Sequence, residues 1–144
     1  MIQKVLAYIT RETERGCEIL VLRHPYSKSA PIQIPQGTVE EDEPALSALW
    51  REVKEETGLT SLILIDQIAK ADYYCNWQQG WQVRNVFHLK TLSETLNAWS
   101  HTVTDGLGDK GMVFEFFWLS LAEARETLQD SQSQWLHLIT VEKP

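Results

Sequence analysis

Gly37-Thr38-Val39-Glu40-Glu41-Asp42-Glu43 and Arg51-Glu52-Val53-Lys54-Glu55-Glu56-Thr57-Gly58-Leu59, joined by Pro44-Ala45-Leu46-Ser47-Ala48-Leu49-Trp50, form the stretch around which the chain is organised. Pro44 suits the first turn of a helix, where its missing N–H is not needed. Gly58 suits the position just past the end, where a left-handed backbone is favoured. These bounds predict a helix over 44–57, about four turns at about 3.6 residues per turn. Leu46, Leu49, Trp50, Val53 and Thr57 recur at helical spacing and predict the buried stripe. Glu52, Glu55 and Glu56 stand at i, i+3 and i+4 and share a second face. Like charges so placed cost about 0.2–0.5 kcal/mol per pair, and the helix C-terminus disfavours anions by a further ~0.3–1 kcal/mol. Arg51 can relieve Glu55 at i,i+4, Lys54 points elsewhere, and one cation does not neutralise three acids. A hard divalent cation explains the arrangement. Oxygen-only ligands without nearby histidine or cysteine favour Mg²⁺ or Mn²⁺ over zinc, and the Gly37 carbonyl offers another oxygen. A solvated acidic face is the alternative, and the helix alone leaves both open.

A length of 144 residues predicts a single domain, 1–144, with a real core. Hydrophobic content of 43% and charged content of 23% place the chain among ordinary globular proteins. The net charge of −7 argues against gripping a nucleic-acid polymer through its phosphates. It leaves room for a phosphate-bearing small molecule if a cation bridges acid and phosphate. Cys17 and Cys75 match no zinc or redox spacing and read as free thiols. The apolar run Val5–Ile9 is too short for a signal h-region or a membrane span, so no membrane is expected and the cytoplasm is the default.

Around the helix, Ile2–Thr10 reads as a strand, with a polar turn through Gly16 and a returning strand Cys17–Arg23. Residues 24–31 form a proline-bearing loop, and Ile32–Pro35 is a short extended piece leading to Gly37. A strand from Leu62 toward Ala71, a connection over 72–80 and a strand Trp81–Lys90 follow. Residues 92–103 are open between loop, helix and strand; residues 104–111 read as a glycine-rich loop. Met112–Leu119 is the strongest strand, and Ser120 with Glu123 predicts a capping box opening a helix to about Gln129. Gln134–Ile139 reads as a last turn or short helix. Strands outnumber helices, one helix mid-chain and one near the end, so the expected fold is α/β: an α/β/α sandwich with a mixed β-sheet between helices.

The residues Gly37, Glu43, Arg51, Glu52, Val53, Glu55, Glu56, Gly58 and Leu59 match the Nudix box without departure. The chain therefore resembles the Nudix hydrolase family, specifically over 37–59 and only in architecture elsewhere. The resemblance implies hydrolysis of a nucleoside diphosphate linked to another moiety, with water attacking phosphorus. It implies Mg²⁺ or Mn²⁺ held principally by Glu52 and Glu56, with Glu55 assisting and the Gly37 carbonyl completing the site. Arg51 resembles the residue that orients these carboxylates, and Glu43 a structural acid paired with it. Family members often draw a base from a distant acid. Asp105 and Asp109 in the glycine-rich loop are candidates, as is Glu115, which either faces the cleft or pairs with a base such as Arg84.

Substrate choice rests outside the box. Tyr73, Tyr74, Trp77, Trp81 and Trp99 are candidates to stack on a base, and His24, Lys28 and Arg84 to contact phosphate; Arg84, Tyr74 and Trp81 are carried as substrate-binding candidates. Pro35-Gln36-Gly37-Thr38 departs from the Pro-Gly-Gly of members that clean oxidised nucleoside triphosphates. It resembles more closely members acting on dinucleoside polyphosphates, capped RNA ends or dihydroneopterin triphosphate. A nucleoside triphosphate or related small diphosphate is the broad expectation. A non-catalytic Nudix-like nucleotide sensor is the alternative of another class; such a module is expected to lose a metal-binding glutamate, and this chain keeps them all. Six tryptophans suggest apolar surface that a homodimer would cover.

Overall fold

The computed structural model describes residues 1–104 and 110–139. Its strands are β1 (Ile2–Thr13), β2 (Gly16–Arg23), β3 (Gln36–Thr38), β4 (Leu62–Cys75), β5 (Gly80–Thr91), β6 (Ala98–Thr102) and β7 (Val113–Ser120). Its helices are α1 (Ala45–Thr57), α2 (Leu121–Thr127) and the single turn α3 (Asp130–Ser133), followed by a 3-10 turn at Leu136–Leu138. The strands form one mixed sheet in the order β4-β5-β1-β2-β7-β6, with β3 added beside β1. Only the β1–β5 pair is parallel among these ladders.

A fork in this sheet positions the site. β1 and β2 pair through only Thr10–Thr13 against Gly16–Ile19, next to their hairpin, and then part. Residues 33–38 fill the gap. Gln33 bridges Leu22, the Ala7 amide donates to the Pro35 carbonyl at 2.9 Å, and β3 pairs with Lys4–Leu6. The short piece expected over 32–35 thus continues into β3, delivering the chain to α1 from within the sheet.

Alternation along the strands sends side chains into two cores. Val5, Ala7, Ile9, Leu20, Leu22, Phe87, Leu89, Phe114 and Phe116 pack with Ala48, Leu49 and Val53 of α1. Leu6, Tyr8, Ile19, Val21, Ile34 and Val86 pack on the other face with Ala124, Leu128, Trp135 and Leu136. The expected α/β/α layering is what forms.

Several boundaries differ from expectation. β4 runs to Cys75 rather than Ala71, because Asp72–Cys75 pair with Gly80–Val83 and leave only Asn76–Gln79 as the turn. The ambiguous 92–103 segment contains β6, an edge strand held by β7. The Ser120–Glu123 capping box forms, with reciprocal bonds of 3.0 and 3.1 Å, but α2 ends at Thr127 and the chain restarts at Asp130. The buried stripe of α1 keeps the predicted Leu49, Val53 and Thr57 but is rotated at its edge: Leu46 and Trp50 are 43% and 39% exposed, and Ala48 and Glu56 are buried instead. Small Ala45 and Ala48 let the helix approach the sheet more closely than bulkier residues would. The carboxylate of Glu56 is consequently turned inward and not onto a separate solvent face.

Candidate active site

The tetrad before α1 is a tight turn. Asp42 takes φ 62°, a conformation aspartate tolerates better than most residues. The Glu43 amide donates to the Glu40 carbonyl at 3.1 Å, and the Glu43 carboxylate accepts from the Glu40 amide at 3.1 Å. This places Glu43 against Arg51. The guanidinium grips it with two bonds of 2.8 Å, from Nε and from Nη2. Such a fork-to-carboxylate pair is among the stronger charge-assisted contacts. The hydrogen bonds from Arg51 hold Glu43 down, from the ordinary glutamate value of 4.5 to about 2. Reciprocally, Glu43 and then Glu52 raise the proton affinity of Arg51, against the opposing effect of burial.

The remaining donors of Arg51 organise the acids. Nη1 donates to Glu52 Oε1 at 2.9 Å and to Glu55 Oε2 at 3.4 Å, and Nη2 to the Thr38 carbonyl at 3.0 Å. One cation therefore sets the positions of Glu43, Glu52 and Glu55 and ties the helix to β3.

Glu52 lies flat against Gly37. A Cβ at Gly37 would stand 2.1 Å from Glu52 Cδ, so any side chain there would have to push the Glu52 carboxylate out of its place. Glu56, 4% exposed, reaches the neighbouring residue, with Oε1 3.5 Å from the Gln36 amide. The bonds Ala7 N–H to Pro35 and Val39 N–H to Gln3 set the ladder's alternation. Residues 35, 37 and 39 thus turn their main chain toward β1, and Gln36 and Thr38 turn theirs toward the free edge. The Gly37 carbonyl expected to join the site is therefore directed at Val5. The main chain that faces the carboxylates is that of Gln36.

The C-terminal end of α1 is held by β6, a contact the sequence reading missed. Trp99 Nε1–H donates to the Thr57 carbonyl at 3.0 Å, and His101 Nε2–H to the Glu55 carbonyl at 2.8 Å. Both satisfy carbonyls that a helix end leaves without intrahelical partners. Trp99, a stacking candidate by sequence, is instead stacked on Phe116 at 5.2 Å as part of this brace. The amphipathic alternation of Ala98–Thr102 was the available signal.

Other candidates are dispersed. Asp105 and Asp109 lie outside the described residues. Glu115 is in register with Arg23 and Ser100, three strands from β5, so it does not pair with Arg84. Its neighbours Phe114 and Phe116 pack toward α1, which puts Glu115 on the opposite face. His24 packs edge-on against Phe114 at 5.1 Å. Tyr74 and Trp81 meet each other at 5.4 Å beside the β4–β5 turn, both exposed, whereas the aromatic neighbour of Arg84 is Tyr73.

Among the described residues no three His, Cys, Asp or Glu side chains form a ready-made metal cage. The donor set still fits a hard cation of the Mg²⁺ kind, which binds through one or two carboxylates and keeps its other positions for water and substrate phosphate. Glu52 and Glu56 reach successive residues of β3, and all the donors there are oxygens.

This carboxylate helix, set in the fork of a mixed sheet, is that of a NUDIX domain, whose family model matches residues 2–139. The chain belongs to the Nudix family. It is 40% identical over 60 residues to an RNA pyrophosphohydrolase of Bartonella tribocorum, covering 41% of this chain and 35% of that protein. The similarity thus spans about a third of the curated relative's length. The fold is also that of solved structures. An Ap4A hydrolase of C. elegans aligns with TM-score 0.73 at 17% identity, over 96% of this chain and 94% of that one. The dihydroneopterin triphosphate pyrophosphohydrolase of E. coli aligns with TM-score 0.70 at 22% identity, over 94% and 92%.

Proposed function

We propose that this chain is a metal-dependent pyrophosphohydrolase, cleaving the phosphoanhydride of a nucleoside triphosphate or related small diphosphate by attack of water on phosphorus. The observation that carries the reading is the single network in which Arg51 bonds Glu43, Glu52 and Glu55 while Glu52 occupies the space left by Gly37. Such a network holds carboxylates in place before substrate arrives, which is what positioning and electrostatic catalysis of phosphoryl transfer need. Glu52 and Glu56 would hold Mg²⁺ or Mn²⁺, with Glu55 assisting and the Gln36 carbonyl on the exposed edge as a further oxygen. When bound, the cation neutralises phosphate oxygens and lowers the pKa of a coordinated water. Arg51 keeps Glu52 and Glu55 aimed, and Glu43 keeps Arg51 from closing over them. Asp105 and Asp109 stay candidates for an additional proton acceptor.

A sensor without turnover is the competing reading, and retention of Glu52, Glu55 and Glu56 weighs against it. The named activities of the relatives set the range of substrates. A phosphate-release screen with Mg²⁺ or Mn²⁺ should cover nucleoside triphosphates, dinucleoside polyphosphates, sugar nucleotides, dihydroneopterin triphosphate and a 5′-triphosphorylated oligoribonucleotide. Turnover of one class supports the enzyme; folded, metal-loaded protein inert toward every class supports the sensor.

A further inference from the structure

The last turn of α1 carries Glu55 and Glu56, and its main chain is held from outside the helix. The Gly58 amide, at φ 79°, closes back on the Lys54 carbonyl at 3.0 Å. The Glu55 carbonyl takes its bond from His101 of β6, at 2.8 Å. A carbonyl only accepts, so Nε2 of this imidazole carries the proton. The ring lies against Gly58: a Cβ there would stand 3.0 Å from His101 Nδ1 and 3.1 Å from Cε1. Gly58 of the box therefore serves twice. It makes the left-handed turn that ends the helix, and it leaves room for the ring that caps it.

Two elements thus act on one row of acids. Arg51 reaches Glu43 and Glu52 at 2.8–2.9 Å but Glu55 at 3.4 Å, so its grip slackens toward the C-terminal end of the helix. There the last carbonyls gather partial negative charge beside the acids that share this end. An N–H aimed at the Glu55 carbonyl opposes both the fraying of the turn and that charge. His101 arrives by register and not by local sequence. It pairs with Phe114, whose ring packs in the core that holds α1, and paired residues point to the same face of the sheet.

We propose that His101 is a positioning residue for the carboxylate site: by fixing the Glu55 main chain it sets the aim of Glu55 and Glu56, as Arg51 sets that of Glu43 and Glu52. A purely structural cap would change how much protein is folded and leave the metal affinity of the folded protein as it was. A positioning contact changes that affinity, because groups that orient ligands govern metal binding nearly as the ligands do. It acts on kcat more than on KM, since the substrate's other contacts stay in place. The consequence for metal rests on the pyrophosphohydrolase reading; the held turn itself does not.

Mn²⁺ binding to the folded full chain without substrate, followed by the paramagnetic resonance of the free ion, tests it beside amide hydrogen exchange at Gly58. His101→Phe keeps a ring against Gly58 and removes the donor; His101→Gln keeps a donor and removes the ring. In His101→Phe, Mn²⁺ affinity and kcat should each fall about tenfold with KM little changed. The Gly58 amide should exchange faster in that variant before any metal is added. His101→Gln should recover most of the affinity. Wild-type affinity in folded His101→Phe overturns the proposal, as does a loss that His101→Gln does not recover. If His101→Phe does not fold, the wild-type ring decides: its Nε2–H should exchange slowly and shift as Mg²⁺ saturates the site. A fast-exchanging, Mg²⁺-insensitive N–H overturns the proposal. Wild-type protein that binds no Mn²⁺ refutes the metal reading, and Gly58 exchange unchanged in His101→Phe then overturns the held turn as well.

Discussion

At Gly37 the requirement is space. Glu52 fills the volume a side chain would take, so Gly37→Ala must displace the carboxylate. A misplacement of about 1 Å at a catalytic group can cost roughly 10²-fold, and we expect kcat/KM of Gly37→Ala to fall by about that factor with the fold retained, checked by kinetics beside circular dichroism. Glu43 makes a different prediction. Its folded-state pKa is depressed, so its contribution is present above the ordinary value of 4.5 and is lost as pH falls from there toward about 2. Glu43→Gln should therefore flatten the decline of stability over that acid window, measured by denaturant unfolding at stepped pH. The Arg51–Glu43 pair was expected only through the resemblance to the Nudix box; the spacing of charges by itself pointed Arg51 to Glu55, the longer of its contacts. The roles of Gly37 and Gln36 were not legible. Which carbonyl faces the acids depends on the bonding alternation between β3 and β1, set by Gln3 and Ala7 some thirty residues away.

At the scale of elements, the helix was legible at both ends, from Pro44 and Gly58, but its rotation was not. Leu46 and Trp50 marked a stripe by hydrophobicity, whereas the close approach permitted by Ala45 and Ala48 decided which side the sheet covers. β6 was left open in the sequence because its alternation runs over only five residues, with Trp99 the one large apolar side chain among them. Its function is to brace the end of α1 through Trp99 and His101. Trp99→Phe keeps the stacking surface and loses the bond to Thr57, so a loss of about 1–2 kcal/mol is expected in unfolding measurements.

Over the whole molecule, the two cores carry different duties: one seats the carboxylate helix, the other anchors the C-terminal segment to the sheet. Tyr8 donates to the Gln132 carbonyl and Gln132 accepts from the Ile34 amide, so that segment reaches the strand entering the fork. In this second core His88 is buried beside Thr10, at 2.8 Å, and burial pushes its pKa down. The folded state thus prefers the neutral ring. Its contribution is present above the ordinary histidine value of 6.5 and is lost as pH falls below it. His88→Gln should weaken the pH dependence of the melting temperature just below that value. Among the described residues no helix is long and apolar enough to cross a membrane.

In the proposed function the carboxylates of α1 serve phosphate chemistry through a bound divalent cation. Mn²⁺ titration of the wild-type protein and Glu56→Gln, followed by calorimetry and by phosphate release from the best substrate, tests it most directly. Saturable Mn²⁺ binding is expected in the wild-type protein and turnover abolished by chelator, with Glu56→Gln folded but lowered about 10²-fold or more in activity. Turnover undiminished in excess chelator, or Glu56→Gln binding Mn²⁺ and turning over as the wild-type protein does, contradicts it.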